Sequence, residues 1–325
     1  MSAARTVKLA AWKAFRGVGA FHLVQQSRWR RGRLLILCYH GVSLHDEHEW
    51  DADLFLSAER LERRCEALRR RGVQVLPLGE AVRALRAGEL VEPAAALTFD
   101  DGFYDFAARA APILSAYGFP ATVYLTTYYV DFPRPLFNLA VPYLFWRRRE
   151  TRPGWREEAR RIVDDAERQG LSAEAKDELA RRTAESIGLD YDAFTASRAL
   201  QLLRPDEVGA LAAQGFDIQL HTHRHRTPED EALFRREIRD NRERIERWAG
   251  RAARHFCYPS GVHAGAFLPW LRAEGVETAT TCDPALASAA NDPLLLPRKI
   301  DTMSVSDVEF DAWLSGFEPR LRRLT

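Results

Sequence analysis

The stretch ALTFDDGFYDF, residues 96–106, begins as an apolar run and then sets two carboxylates, Asp100 and Asp101, side by side before Gly102. An apolar run of this length, without alternation, suits a strand buried on both faces, as in parallel sheets. Adjacent like charges repel, and burial makes each harder to ionise. Asp-Asp-Gly at a strand end is also an ordinary solvated turn. A cation changes the balance, because a metal turns a carboxylate pair into a binding site. The two readings separate on whether the chain supplies further ligands.

Working outward, runs like that of 95–100 recur at RLLILCYH (33–40), ATVYLT (121–126), DIQLH (217–221), HFCYP (255–259) and LLLPRKI (294–300). VQVLPL (73–78) and VETATT (276–281) are weaker strand candidates. Helical patterns fill 57–71, 79–87, 105–117, 204–214, 230–249 and 264–274. Strands alternating with helices of this length predict a parallel sheet with helices packed outside it. About seven or eight such units predict a closed or nearly closed barrel. Residues 128–203 break the rhythm with aromatic, proline-rich and then charged helical sequence. They read as a helical insertion, either solvated helices or a lid, because they leave from a strand end, where barrel chemistry sits.

The 325 residues, with 46% hydrophobic and 29% charged residues, exclude a disordered or fibrous chain and allow one large barrel or two ordinary domains. The net charge of +1 is unevenly spread: residues 1–33 hold eight basic residues and no acid, leaving −7 for the remainder. Within that segment Val7, Trp12, Phe15, Val18 and Phe21 alternate with basic residues. The pattern fits a basic amphipathic helix on an anionic membrane surface and equally one docked on the protein's own body. Gly17 and Gly19 weaken either version. Cys38, Cys65, Cys257 and Cys282 show no paired spacing, which argues against a disulfide framework and for a reducing compartment. Cys38 and Cys257 fall in apolar runs and read as small buried hydrophobes. No stretch reaches the ~20 apolar residues of a membrane span, and the N-terminus lacks the pattern of a secretory signal.

Further ligands stand in QLHTHRHRTP (219–228), where three of the nine histidines fall within five residues at another strand end. Neutral imidazole is the commonest metal ligand. One helical turn after the strand would bring His221 and His225 to one side, whereas an extended chain would pair His223 with His221. Thr222 and Thr227 suit local backbone hydrogen bonds, and Pro228 suits a helix start. One carboxylate and two imidazoles make a three-ligand site with open positions, as in catalytic zinc. The same set accepts Co2+, Ni2+, Mn2+ or Fe2+. The turn at Gly102 lets both aspartates reach one site, one binding metal while the other takes a proton.

TFDDG (98–102) followed by HTHRH (221–225) resembles the signature of the polysaccharide deacetylases, the NodB-like group of carbohydrate esterase family four. LLILCYHGV (34–42) looks like the Tyr-His-x-Val opening strand of one branch, FCYPSG (256–261) stands in place of the third motif, and LPRKID (296–301) resembles the closing strand. The resemblance covers roughly residues 33–301. It implies a distorted (β/α) barrel of about seven strands, spanning 33–325 with the insertion 128–203 inside it and the basic segment 1–32 ahead of it. It further implies a divalent metal and removal of N-acetyl groups from amino sugars. By that pattern Asp101, His221 and His225 are the ligands, Asp100 is the general base, and the backbone N–H of Ser260 meets the oxyanion.

The chain departs from that pattern in three places. Cys257 stands where an arginine often orients the base, no acidic-and-tryptophan cluster lies near TTCDP, and the closing strand offers Arg298 and Lys299 instead of a histidine. Arginine does not release its proton at working pH. We therefore expect Arg298 to orient a carboxylate from a different strand, and His40 to face the site and assist. His45 and His48 read as part of a solvated acidic loop. The leading expectation is a metal-dependent hydrolase of the linear amide in an N-acetylated amino-sugar polysaccharide or its lipid-linked precursor, as in exopolysaccharide biosynthesis. The alternatives are another C–N amide, or a degenerate protein that binds glycan or a biosynthetic partner. The expected compartment is cytoplasmic, peripheral at the inner membrane face. Nucleic acid is not an expected partner, because the positive charge is local and no recognition fold accompanies it.

Overall fold

The computed structural model describes residues 3–318. Its strands are β1 (Leu34–Tyr39), β2 (Gly41–Val42), β3 (Phe55–Leu56), β4 (Gln74–Val75), β5 (Ala94–Phe99), β6 (Thr122–Leu125), β7 (Asp217–Leu220), β8 (His255–Cys257), β9 (Thr278–Thr280) and β10 (Lys299–Ile300). They form one parallel sheet in the order β10-β1-β5-β6-β7-β8-β9, with β4 on the start of β5 and β2–β3 as a separate pair. Every residue of β1 and β5 is buried, which is why both read as unbroken apolar runs. Thr280 bridges Leu296 while Leu37 pairs with Lys299, so residues 296–300 join β9 to β1 and close the ring. That thin seam is the distortion of this (β/α) barrel. The run 294–300 is therefore a strand only at its last residues, because its first part makes a single bridge.

The helices are α1 (Ala3–Gly17), α2 (Ala20–Gln25), α3 (Arg28–Arg31), α4 (Glu47–Trp50), α5 (Ala58–Arg70), α6 (Leu78–Ala87), α7 (Ala111–Tyr117), α8 (Phe137–Trp146), α9 (Trp155–Arg168), α10 (Ala173–Ser186), α11 (Tyr191–Ala196), α12 (Pro205–Ala213), α13 (Glu231–Ala249), α14 (Phe267–Ala273) and α15 (Asp307–Ser315). Helices α8 to α11 lie between β6 and β7. Pro228 does not open α13; the Asp230 side chain caps it by accepting from the Leu233 N–H, and Gly250 ends it in a left-handed conformation. Helix α15, which no pattern announced, receives the N-terminal segment: Trp12 and Phe21 are buried with Val308, Ala312 and Phe317.

Register places the site. Tyr39 pairs with Phe99, so the next residues, His40 and Asp100, leave the sheet at the same level. Asp101 and Gly102 then turn the chain in left-handed conformations, φ 70° and 81°. A Cβ on Gly102 would lie 2.2 Å from Leu125 Cδ1 on β6, so a side chain there would both strain the left-handed backbone and displace Leu125.

Candidate metal and catalytic site

Among the described residues, four of the six non-glycine residues with positive φ are at this end of the barrel: Asp101, Thr222, His225 and Ser260. Such conformations cost about 1–3 kcal/mol each and persist where surrounding contacts enforce them. Around the histidine loop those contacts are explicit. The Thr126 hydroxyl lies 3.2 Å from the carbonyl oxygens of both His221 and Thr222, and the Arg226 N–H donates to Thr222 Oγ1. From α13, Asn241 Oδ1 accepts the His221 N–H while its Nδ2 donates to the Leu125 carbonyl and to Thr127 Oγ1. One helical turn away, the buried Glu237 carboxylate accepts from the Arg224 backbone and guanidinium. Asn241 and Glu237 were not anticipated, since nothing marks them in a charged helical sequence.

The loop corrects the expected geometry. Residues 221–225 form no helical turn; left-handed Thr222 and His225 swing the chain so that His221 and His225 converge. The two Nε2 atoms lie 3.3 and 3.2 Å from the same Asp101 Oδ1. His223 turns away, with Nδ1 2.9 Å from Thr127 Oγ1, and burial pulls its pKa down to about 4. One ligand atom from each of Asp101, His221 and His225 fits within 4.8 Å. Donors about 2.0–2.1 Å from a tetrahedral zinc stand about 3.3 Å apart, so the three residues fit such an ion. His221 Nδ1 is 2.9 Å from the Cys257 carbonyl, which fixes the tautomer that leaves Nε2 as a lone-pair donor.

Asp100 is held differently. Arg298, fully buried, grips it end-on, Nη1 to Oδ1 and Nη2 to Oδ2, both 2.7 Å. The remaining guanidinium donors go to the Thr281 carbonyl, Thr98 Oγ1 and Cys257 Sγ, so all five are used. Arg298 thus reaches from the closing segment to the Asp100 carboxylate. Cys257 and Cys38 approach Asp100 Oδ2 at 3.3 and 3.5 Å. These thiols are buried as expected, but they pack on a carboxylate as well as on apolar neighbours. Burial alone would raise the Asp100 pKa; the charge and hydrogen bonds of Arg298 outweigh it and hold the group below the usual carboxylate range.

His40 is half-buried, with a ring nitrogen within 4.8 Å of Asp100 and Cys38 ligand atoms, and its Nδ1 has no hydrogen-bond partner. Ser260 is exposed in the 3-10 turn Pro259–Gly261 that follows β8, at φ 55°. Between β2 and β3, His45 is exposed in the loop and His48 is half-buried in α4, and neither joins the metal-ligand group. A groove of about 310 Å³ opens onto Asp101 and His225. Phe103 and Thr126 line it from the barrel, and Tyr129, Phe137, Lys176 and Leu202 line it from the 128–203 segment, which therefore forms a wall of the groove.

Comparisons agree with this fold. The barrel superposes on a Streptococcus pyogenes deacetylase, PplD, with a TM-score of 0.60 at 19% identity, over 85% of this chain and 96% of that one. IcaB from Ammonifex degensii gives 0.58 at 18% identity, over 87% and 97%. Poly-beta-1,6-N-acetyl-D-glucosamine N-deacetylase of Escherichia coli is 30% identical over 112 residues, 34% of this chain but only 16% of that protein. The sequence model described as polysaccharide deacetylase matches residues 87–279, more than half of the chain and the part that carries Asp100, Asp101 and the histidine loop. By that match the chain belongs to the polysaccharide deacetylase family.

Proposed function

We propose that the chain is a metal-dependent N-deacetylase acting on an amino-sugar polysaccharide or its lipid-linked precursor. The observation that carries this reading is the division between the two aspartates: Asp101 Oδ1 faces both imidazole Nε2 atoms, while Asp100 is fixed separately by Arg298. Asp101, His221 and His225 would hold a divalent cation, zinc by the donor set. When bound, such an ion polarises an amide carbonyl and acidifies water.

The protein's own residues supply the rest. Oδ2 of Asp100 is crowded by Arg298 and two thiols, whereas Oδ1 accepts only from Arg298 and keeps a free lone pair. Oδ1 therefore takes the proton from the attacking water. The Ser260 N–H meets the developing oxyanion; a preorganised donor of this kind is worth about 3–4 kcal/mol. His40 returns a proton to the departing amine, since Arg298 does not give one up. One water and one N-acetyl group become one amine and one acetate. The aromatic and apolar wall of the groove suits the faces of sugar rings.

The test is acetate release from chitooligosaccharides, poly-N-acetylglucosamine and lipid-linked N-acetylated intermediates, before and after chelation and after zinc is restored. Release that chelation stops and zinc restores is expected on at least one of them. Release that survives chelation with no metal in the protein would contradict the proposal.

A further inference from the structure

The N-terminal helix buries Trp12, with Leu9 packed beside it, against α15, yet it is apolar on its outer face as well. A surface helix normally turns its apolar stripe to the core and its charges outward. In α1 the inner face carries Arg5 and Arg16, paired with Glu309 and Asp311 of α15, around the buried Trp12. The opposite face follows the spacing i, i+4, i+7, i+11 through Val7, Ala11, Ala14 and Val18, all exposed. Val7 is 69% and Val18 79% exposed, and Leu23 of α2 is 72%, whereas Phe15 packs against Phe317. Lys8, Lys13 and Arg28 are exposed around this stripe.

We infer that this face of α1 and α2 docks the protein on an anionic lipid surface, its apolar stripe entering the acyl boundary and its cations meeting headgroup phosphates. Contiguous exposed apolar residues rimmed by polar ones mark an interaction surface. Charge selects the occupant. The exposed cations around this face are Lys8, Lys13 and Arg28, and residues 1–33 contain no acid, so a second copy of the same face would bring like charge, whereas an anionic leaflet attracts it. Docking of the inner face on α15 fixes the helix against the barrel instead of leaving it as a loose tail. The same helix walls a cavity of about 340 Å³ with Cys282, whose sulfur is 3.8 Å from Arg298 Nη2, so it stands beside the catalytic end.

The test is co-sedimentation of the full chain with phosphatidylcholine vesicles and with vesicles that also contain phosphatidylglycerol. Two variants accompany the wild type: Val7→Asp/Val18→Asp/Leu23→Asp, and Lys13→Glu/Arg28→Glu. All five positions are exposed and outside the reaction site, so circular dichroism and acetate release from a soluble substrate serve as folding controls. The wild type should bind only the phosphatidylglycerol vesicles, less so at high salt, and each variant should bind at least about tenfold more weakly. Wild-type protein that stays in the supernatant, or variants that bind as well as it does, would overturn the inference. A wild-type dimer that the first variant dissolves, without vesicle binding, would give the face to a second copy instead. The readout does not involve catalysis, so its failure is separable from failure of the deacetylase reading.

Discussion

Asp101 sits in a left-handed turn with its carboxylate facing two imidazoles and an open groove, whereas Asp100, one residue earlier, is sealed against Arg298 and two thiols. The two surroundings differ in what they leave unfilled. Around Asp100 all five guanidinium donors are spent, and only one lone pair of Oδ1 stays available. Around Asp101 two lone-pair donors and a carboxylate converge with no cation from the protein between them. Saturation makes a rigid, ionised group; convergence without saturation makes room for a ligand from outside. Identical side chains acquire different chemistry from the elements that meet them.

The comparison breaks most visibly at Arg298. Arg298→Met leaves a buried carboxylate without its partner, which costs about 3–5 kcal/mol. Denaturant unfolding should show that loss, and turnover should fall by at least about a hundredfold, in the range of a disabled general base. Metal affinity should change little, because Arg298 touches none of the three proposed ligands. Unchanged turnover would mean that orientation of Asp100 is irrelevant to the reaction.

A smaller effect is expected on the Asp101 side from Asn241→Ala. It removes three buried hydrogen bonds that tie the ends of β6 and β7, for about 1–3 kcal/mol. Metal affinity measured by competition with a chelating dye should fall about 10–100-fold, as for other residues that orient ligands. A full loss of stability with unchanged affinity would show that the histidine loop holds itself.

The smallest effect belongs to a third carboxylate. Asp105 is buried with Oδ1 unpartnered, and burial, then Glu47 and Asp101, raise its pKa well above the usual value against the opposing Val42 N–H. A folded pKa above the unfolded value of about 3.9 means that the native state keeps a proton the unfolded chain releases. Stability is therefore lost as pH rises from the unfolded pKa toward the folded one. Asp105→Asn should raise Tm at neutral pH, with the gain vanishing near about pH 4. An equal gain at both pH values would assign the effect to packing.

How much of this was legible follows from the same contrast. The barrel was readable because β1 and β5 are buried on both faces and so write themselves as LLILCY and AAALTF. Asp100, Asp101, His221 and His225 were readable because their residue types cluster at strand ends. The partner of Asp100 is 198 residues away and came to notice only through a missing arginine and a missing histidine. The histidine loop follows neither the helical turn nor the extended path that the spacing allows, since φ values of 60° at Thr222 and 54° at His225 are imposed by Thr126 and α13, not by local preference. Asn241 and Glu237 carry no signal at all, because a buried brace and a solvated polar residue look alike in a charged helix.

The most direct measurement compares Asp100→Asn with Asp101→Asn for bound metal and acetate release in one experiment. Asp100→Asn should keep stoichiometric metal while turnover falls about 10²–10⁴-fold, and Asp101→Asn should lose both. Loss of metal from Asp100→Asn, or retention of metal and turnover by Asp101→Asn, would contradict the division of roles between the two aspartates.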